Sequence, residues 1–473
     1  MKIKILSVFL ICFLIFQSAF TQVISGGGLH SISLCADSTV RAWGANKNGQ
    51  LGVGDTTDRM IPAQVHGLAN VGYLTGIKAL STGGNPLEAV GFSLALKNDS
   101  TVWGWGSNHY GQFGIGDTIS RNTPVQTIGL TGIISIQGGG YHTLALKNDG
   151  TVWAFGRNNH GQLGTGDTIS HNLPFLVSGL TGITALAAGW GNSFVLKNDS
   201  TVWSWGQNYL GQLGVGDTTD RHLPVQVSGL TGIIAISGGG GHSLALKSDG
   251  SVWAWGYNVF GEIGDSTNID RHSPVKLSGV SGVISISGGA GHSLALKSDG
   301  TMMAWGYNSL GELGDSTTQS RSYPVPVKLL TGVIEISGGG GHSLAVKNDS
   351  TVWSFGFNSN GQLGNGTLNG SSWPIQVNGL CPALNAVNEI NPEVSISVYP
   401  NPSGDGKFQV SSPKSQVLSM DVYNLIGEKV YQRTTINEQL PTTIDLSKQE
   451  TGIYFLQLKT SNESFSKKIV IVR

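Results

Sequence analysis

The sequence predicts an all-β protein: a closed array of seven four-stranded repeats followed by a second, smaller all-β unit. Three observations carry this. The stretch His242-Ser-Leu-Ala-Leu-Lys-Ser-Asp-Gly-Ser-Val-Trp-Ala-Trp-Gly256 is two alternating β-branched and aromatic runs joined by Asp-Gly. Such a pair is a strong hairpin signal, because a tight turn needs positive φ and Gly supplies it. The second aromatic of that hairpin returns as Trp43, Trp105, Phe155, Trp205, Trp255, Trp305 and Phe355, a period of 50 residues broken once by an interval of 62. Seven copies at such a period mean a closed repeat array. After Cys381-Pro382 the period stops, yet strand-like segments continue to Arg473.

Composition agrees. Charged residues are 12% and Gly is 70 of 473, about half and about twice the usual shares. Tight turns between strands buried on both faces call for that balance. The formal net charge is −1 and no basic block occurs, so nothing steers the protein to a nucleic-acid backbone. Residues 1–21 read as a secretory signal peptide, with Lys2 and Lys4 before the apolar core Ile5 to Phe16, then Ala19 and Thr21. That core is too short to span a bilayer. Cys12 is a poor lipid-attachment site, because bulky Ile11 precedes it. The mature chain, from Gln22, is therefore expected to be exported.

In the fifth repeat Ile233–Ile236 reads as strand A, Gly238–Gly241 as a turn, His242–Lys247 as strand B and Ser251–Trp255 as strand C. Strand D resembles Pro224-Val-Gln-Val227 of the preceding repeat. A proline is tolerated only at a sheet edge, so D is the outer strand. The chain begins within strand A, Val23–Ser25 matching Ala235–Ser237, and the last sheet is expected to be completed by this first strand.

The text His-Ser-Leu-Ala-Leu-Lys-x-Asp-Gly-x-Val-Trp-x-Trp-Gly, with the loop Gly161-Gln-Leu-Gly-Thr-Gly166, resembles the regulator of chromosome condensation repeat. Kelch repeats share the period and lack that loop. The resemblance implies a seven-bladed β-propeller over residues 22–382. The family includes a guanine-nucleotide exchange factor and a secreted inhibitor of β-lactamase, both of which present a face to another protein. Residues 383–394 read as a linker. From 395 to 473, Val398-Tyr-Pro-Asn-Pro-Ser403, Asp421-Val-Tyr-Asn424 with Gly427, Gly452-Ile-Tyr454 and Lys467-Lys-Ile-Val470 resemble, in order, the C-terminal sorting domain of the type IX secretion system. That likeness implies a small immunoglobulin-like β-sandwich recognised by the outer-membrane secretion machinery. It places the protein, by way of the periplasm, outside a Gram-negative cell or on its surface.

Candidate chemistry is sparse. His30, His142, His242, His292 and His342 open strand B of five repeats, but Phe92 and Asn192 fill the same slot. Each sits on its own blade without a unique partner, and general acid–base work needs one. The histidines are read as structural. Asp55…Arg59, Asp117…Arg121 and Asp217…Arg221 read as braces within loops. The Gly-rich loops lack the Lys-Ser/Thr of a phosphate-binding loop, and the Asn-Asp-Ser-Thr turns lack the carboxylates of a calcium loop. No catalytic residue, metal site or cofactor is expected, and the chain is read as a monomeric interaction protein; a carbohydrate-binding or hydrolytic propeller is the alternative.

Alternating strands put the A–B turns and C–D loops on one face of the disc. That face collects the residues that break the repeat. Tyr141 and Trp190 come from A–B turns, as does the insertion Asn85–Val90, while Tyr110, Tyr209 and Phe260 come from C–D loops. These five aromatics are the expected partner-binding anchors; the other reading is that the rings cap the blade ends. The rival site is Ala69–Tyr73 on the opposite face. Cys35 and Cys381 are expected to form a disulfide. On the fifth repeat they superimpose on Lys247 and Thr231, which lie opposite one another if the A–B hairpin folds about Gly239.

Overall fold

The computed structural model describes residues 23–88, 90–381, 397–401, 403–411, 417–424, 428–438, 442–460 and 464–471. The expected leader with Cys12, the 383–394 linker and Gly427 lie outside the described residues. The chain divides into two compact units between Cys381 and Pro382.

The first unit is a propeller of seven four-stranded antiparallel blades, each with strands in the order A-B-C-D. The blades span 23–64, 77–126, 133–176, 183–226, 233–276, 283–326 and 333–376. In the fifth, strand A is Ile233–Gly238, B is His242–Lys247, C is Val252–Gly256 and D is Arg271–Lys276. Strand B is buried along both of its faces, because each sheet stacks on two neighbours. Strand A lines the axial channel, presenting Ser25, Thr82, Gln137, Ala187, Ser237, Ser287 and Ser337, one per blade.

Strand D is the outer edge, and its fourth residue is proline in every blade: Pro62, Pro124, Pro174, Pro224, Pro274, Pro324 and Pro374. In the fourth blade Ser204 pairs with Val225 and Gly206 with Arg221, so Pro224 falls in a bulge. The missing N–H therefore costs no ladder bond.

The blades are packed pairwise. Leu244, Leu246, Val252 and Ile263 of blade 5 enclose Trp305, Ile286 and Ala295 of blade 6. The Gly-Gln-Leu-Gly loop is the joint. In blade 4, Leu213 is buried in the loop core, and the carbonyl of Gln212 accepts both the Ser243 hydroxyl at 2.9 Å and the Trp255 indole N–H at 2.9 Å. Gly214, at φ +73, leaves room for that indole, since an added Cβ would lie 2.7 Å from Trp255 Nε1.

Ring closure differs from expectation. Val23–Gly26 pairs with His30–Leu34 in the first sheet, and the last sheet has its own strand A, Val333–Gly338. Every blade is thus built from contiguous sequence, because the short A–B hairpin forms locally. The seam between blades 7 and 1 uses the same joint as the rest: the Gln362 carbonyl accepts Ser31 Oγ at 3.0 Å and Trp43 Nε1 at 2.9 Å. Ile24 and Trp43 pack against Leu344, Val346 and Val352. The Ile24 N–H donates to the Glu335 carboxyl at 3.1 Å.

Cys35 and Cys381 are joined by a disulfide across this seam, with Cα atoms 5.7 Å apart. The register behind the expectation was off by two. Ile233, not Thr231, stands opposite Lys247, because the turn centres on Gly240-Gly241 and a bulge follows Ile233. The bond forms nonetheless, since Cys381 arrives where a D–A turn would enter strand A.

The second unit is a β-sandwich. Ser397–Tyr399, Lys407–Ser411 and Thr442–Asp445 form one sheet, and Lys429–Glu438, Val417–Tyr423, Gly452–Thr460 and Ser464–Ile471 the other. Phe408, Val410, Met420, Val422, Ile444, Tyr454, Leu456 and Ile469 fill the space between them.

The disulfide closes a loop of 346 residues. In the chain-entropy account such a loop stabilises the ring by about 6 kcal/mol. Cys35→Ser is expected to lower the denaturation midpoint accordingly. Two alkylatable thiols in the exported, denatured, non-reduced protein, or an unchanged midpoint in the variant, would refute this.

Candidate interaction face

The repeated histidines are spacers between blades. His30, His142, His242 and His292 each place Nε2 2.9 Å from the hydroxyl of Ser93, Ser193, Ser293 and Ser343 on the next blade, and His342 reaches Ser31 at 2.8 Å. Burial drives their pKa down to about 3 for His30, His292 and His342 and about 4 for His142 and His242. All five are neutral at physiological pH. The repeated Asp–Arg spacing forms ion pairs within loops, Arg59–Asp55 and Arg121–Asp117 at 2.6 Å and Arg221–Asp217 at 2.5 Å. Among the described residues no group of three or more His, Cys, Asp or Glu side chains is placed to hold a metal.

The A–B and C–D connections do share one face, and most A–B turns there are glycine. Trp190 stands where other blades have Gly28, Gly140, Gly240, Ala290 or Gly340. Its carbonyl accepts the Gly140 N–H at 3.2 Å, and its indole lies over Gly240 beside the channel mouth. From the other side the insertion leans in, with Pro86 against Gly28 and Gly340 and with Leu87 81% exposed. Tyr209 is 59% exposed and Phe260 39%, while Tyr110 and Trp190 are half-buried.

Tyr141 departs from the anchor role expected of it. It is only 5% exposed, packed edge-on to Tyr110 at 5.5 Å between ring centroids. Burial, and then Glu88 of the insertion, pushes its phenol pKa well up. Its part is to support neighbouring groups, chiefly Tyr110 and the Arg157 guanidinium, which lies 5.0 Å from both rings.

Sequence reasoning missed the position just after Trp-Gly at the end of strand C. It reads Ala45, Ser107, Arg157, Gln207, Tyr257, Tyr307 and Phe357, one of the most variable places in the repeat, and that variability was the available signal. Tyr257, Tyr307 and Phe357 fill the space left above Gly241, Gly291 and Gly341. Phe260 joins them, 6.4 Å from Tyr257 and 4.9 Å from Tyr307, both edge-on. An aromatic arc therefore runs over blades 5 to 7 and continues to exposed Tyr209. Between blades 3 and 4, His160 Nδ1 meets Asp220 at 2.9 Å and Gln207 donates to its Nε2 at 3.1 Å, which fixes the loops beside Trp190. On the opposite face Leu68, Val71 and Tyr73 are exposed, and Ala69 and Asn70 adopt left-handed φ of 52° and 67°.

Beneath the arc, Glu262 and Glu312 replace the glutamine found at Gln50, Gln112, Gln162, Gln212 and Gln362. Both are fully buried. One carboxyl oxygen of each accepts a backbone N–H, from Phe260 and Leu310 at 2.9 Å, and the other has no hydrogen-bond partner among the described residues.

A seven-bladed propeller with glutamine-carbonyl joints, a variable aromatic face and a separate C-terminal sandwich defines the class. Residues 37–85, 99–146, 149–196, 199–246, 249–296, 299–346 and 349–383 match the Regulator of chromosome condensation (RCC1) repeat, and the chain belongs to that family. Residues 397–472 match the Secretion system C-terminal sorting domain. Similar proteins include the Ultraviolet-B receptor UVR8 of Arabidopsis thaliana, 32% identical over 101 residues, which are 21% of each chain. The probable E3 ubiquitin-protein ligase HERC6 of Homo sapiens is 32% identical over 130 residues, 27% of this chain and 12% of that protein. The match thus spans less than a quarter of either relative. Human WBSCR16 superimposes with a TM-score of 0.62 at 24% identity, over 72% of this chain and 93% of its own. Yeast RCC1 (Prp20), solved with Kap60 bound, gives 0.63 at 22%, over 80% and 88%. At that identity the likeness is one of fold.

Burial raises the pKa of Glu262 and Glu312 from 4.5 to about 7. Their protonated forms suit the folded state, so stability is full below about pH 4.5 and falls as pH rises through 7. Glu262→Gln and Glu312→Gln are expected to stabilise the fold at pH 8 by up to about 3 kcal/mol per site, read as a raised thermal midpoint, and to leave the midpoint nearly unchanged at pH 4.5. Equal midpoints for variant and parent at pH 8 would contradict this.

Proposed function

We propose that this protein is an exported interaction module: the propeller offers its A–B/C–D face to a protein partner, and the C-terminal domain carries it out through the type IX secretion system. The observation that carries the reading is where departures from the repeat fall. The B–C and D–A connections mostly repeat Asn-Asp-Gly, Asn-Asp-Ser and Gly-Leu-Thr-Gly, which gives a partner little to discriminate. The other face gathers Trp190, Tyr209, Phe260, Tyr110 and the Pro86–Glu88 turn on a rigid scaffold. Exposed aromatics so held are the anchors that dominate association free energy. Export to the outside of a Gram-negative cell follows from the leader read at residues 1–21 together with the sorting domain.

Once a partner is in hand, Trp190→Ala and Tyr209→Ala are each expected to weaken it about thirtyfold without lowering the thermal midpoint. Retained affinity in both, with loss on deleting Ala69–Tyr73, would move the site to the opposite face. Deletion of Ser395–Arg473 is expected to leave a folded propeller in the periplasm. Its normal appearance in the medium, tracked by immunoblot of cell fractions, would refute the export route.

A further inference from the structure

Three departures from the repeat converge at one point of the face. Arg157 is the only charged residue at its position in the seven blades, where the others have Ala45, Ser107, Gln207, Tyr257, Tyr307 and Phe357. Tyr141 stands where five blades have glycine and the first has Leu29. Tyr110 comes from the C–D loop of the blade before. The two rings meet at 77°, and the guanidinium carbon lies in the corner between them, 5.0 Å from each centroid. The cation is held there by cation–π attraction to both rings, which position the guanidinium without offering it a charged acceptor.

That fork has no acceptor of its own. Arg59, Arg121, Arg221, Arg271 and Arg321 are each paired with an aspartate. Arg157 makes no ion pair and no side-chain hydrogen bond among the described residues. Glu88 lies on the same side, near enough to act on Tyr141, yet it does not pair with Arg157. An arginine immobilised on two rings, half-buried and unpaired, has already lost the rotamer freedom that binding would otherwise remove. Its planar donors match a carboxylate in bidentate fashion.

We propose that Arg157, held by Tyr110 and Tyr141, is the anchor for a carboxylate side chain of the protein partner, so that the segment crossing blades 2 to 4 is acidic. This rests on the binding face proposed above and adds the chemistry of what it binds. Tyr141, which helps hold the guanidinium, follows Gly140, whose N–H donates to the Trp190 carbonyl, so an aromatic anchor and an anion anchor would be engaged by one segment.

The test is a random linear peptide library displayed on phage and selected on the full chain, then re-measured on Arg157→Gln, Arg157→Lys, Trp190→Ala and Tyr209→Ala. Selected peptides are expected to be enriched in Asp and Glu and to bind less tightly as salt is raised. They should lose at least about tenfold in affinity on Arg157→Gln, and less on Arg157→Lys, which keeps charge but not the fork. An unchanged thermal midpoint in Arg157→Gln separates lost binding from lost folding. Peptides without acidic enrichment, full retention on Arg157→Gln, or an empty selection would overturn the proposal. Loss on Trp190→Ala and Tyr209→Ala with retention on Arg157→Gln would discard the anion anchor and leave the face standing. Retention on all four variants would discard the face as well.

Discussion

The propeller depends on one backbone carbonyl per joint. In the Gly-Gln-Leu-Gly loop the glutamine or glutamate carbonyl receives the strand B hydroxyl of the next blade, as from Ser93, Thr143, Ser193 and Ser243 to Gln50, Gln112, Gln162 and Gln212. The strand C indoles of Trp43, Trp205, Trp255 and Trp305 donate to the same oxygen, while that of Trp105 finds no acceptor among the described residues. The carbonyl satisfies these buried donors, and moving it away would leave them as costly orphans. The motif that looks like a loop signature is therefore a packing requirement. The second glycine clears the indole, the leucine fills the core, and the glutamine or glutamate before the leucine exposes its carbonyl.

That division of labour frees the face above. The joint uses backbone and buried atoms, so residues at the A–B turns and just after strand C can vary without loosening the ring. Trp190, Arg157 and the aromatic arc of Tyr257, Phe260 and Tyr307 occupy such positions. Glu262 and Glu312 are the exceptions, because they place variation inside the joint itself. Their partnerless carboxyl oxygens sit under Phe260 and Leu310, so the ionisation of these two groups bears on the loops that carry the arc.

Much of this was legible before any coordinates. The period, the four strands, the outer strand D and the cysteine pair all follow from local pattern, and local pattern decides them because each blade is contiguous. Three features were not. The run Gly238–Gly241 carries no marker for the centre of its turn, and the register was misplaced by two residues. The first strand was assigned to the last sheet, although a short hairpin pairs more readily with its own neighbour. Tyr141 reads as an exposed ring from sequence alone, because its cover, Tyr110 and the insertion, comes from another blade. Contacts between blades are invisible to periodicity, and the place of Arg157 between two rings depends on such contacts.

The seven prolines of strand D matter beyond the single molecule. Sheets that radiate from an axis turn seven free edges outward, and several carry exposed apolar side chains, among them Leu173, Phe175, Leu176, Tyr323 and Trp373. An edge with those residues and an unbroken row of N–H groups would recruit a strand from any neighbouring molecule. A proline at the fourth residue, set in a bulge, interrupts that row on every blade at once. Molecules crowded together can then lie rim to rim without fusing into a common sheet.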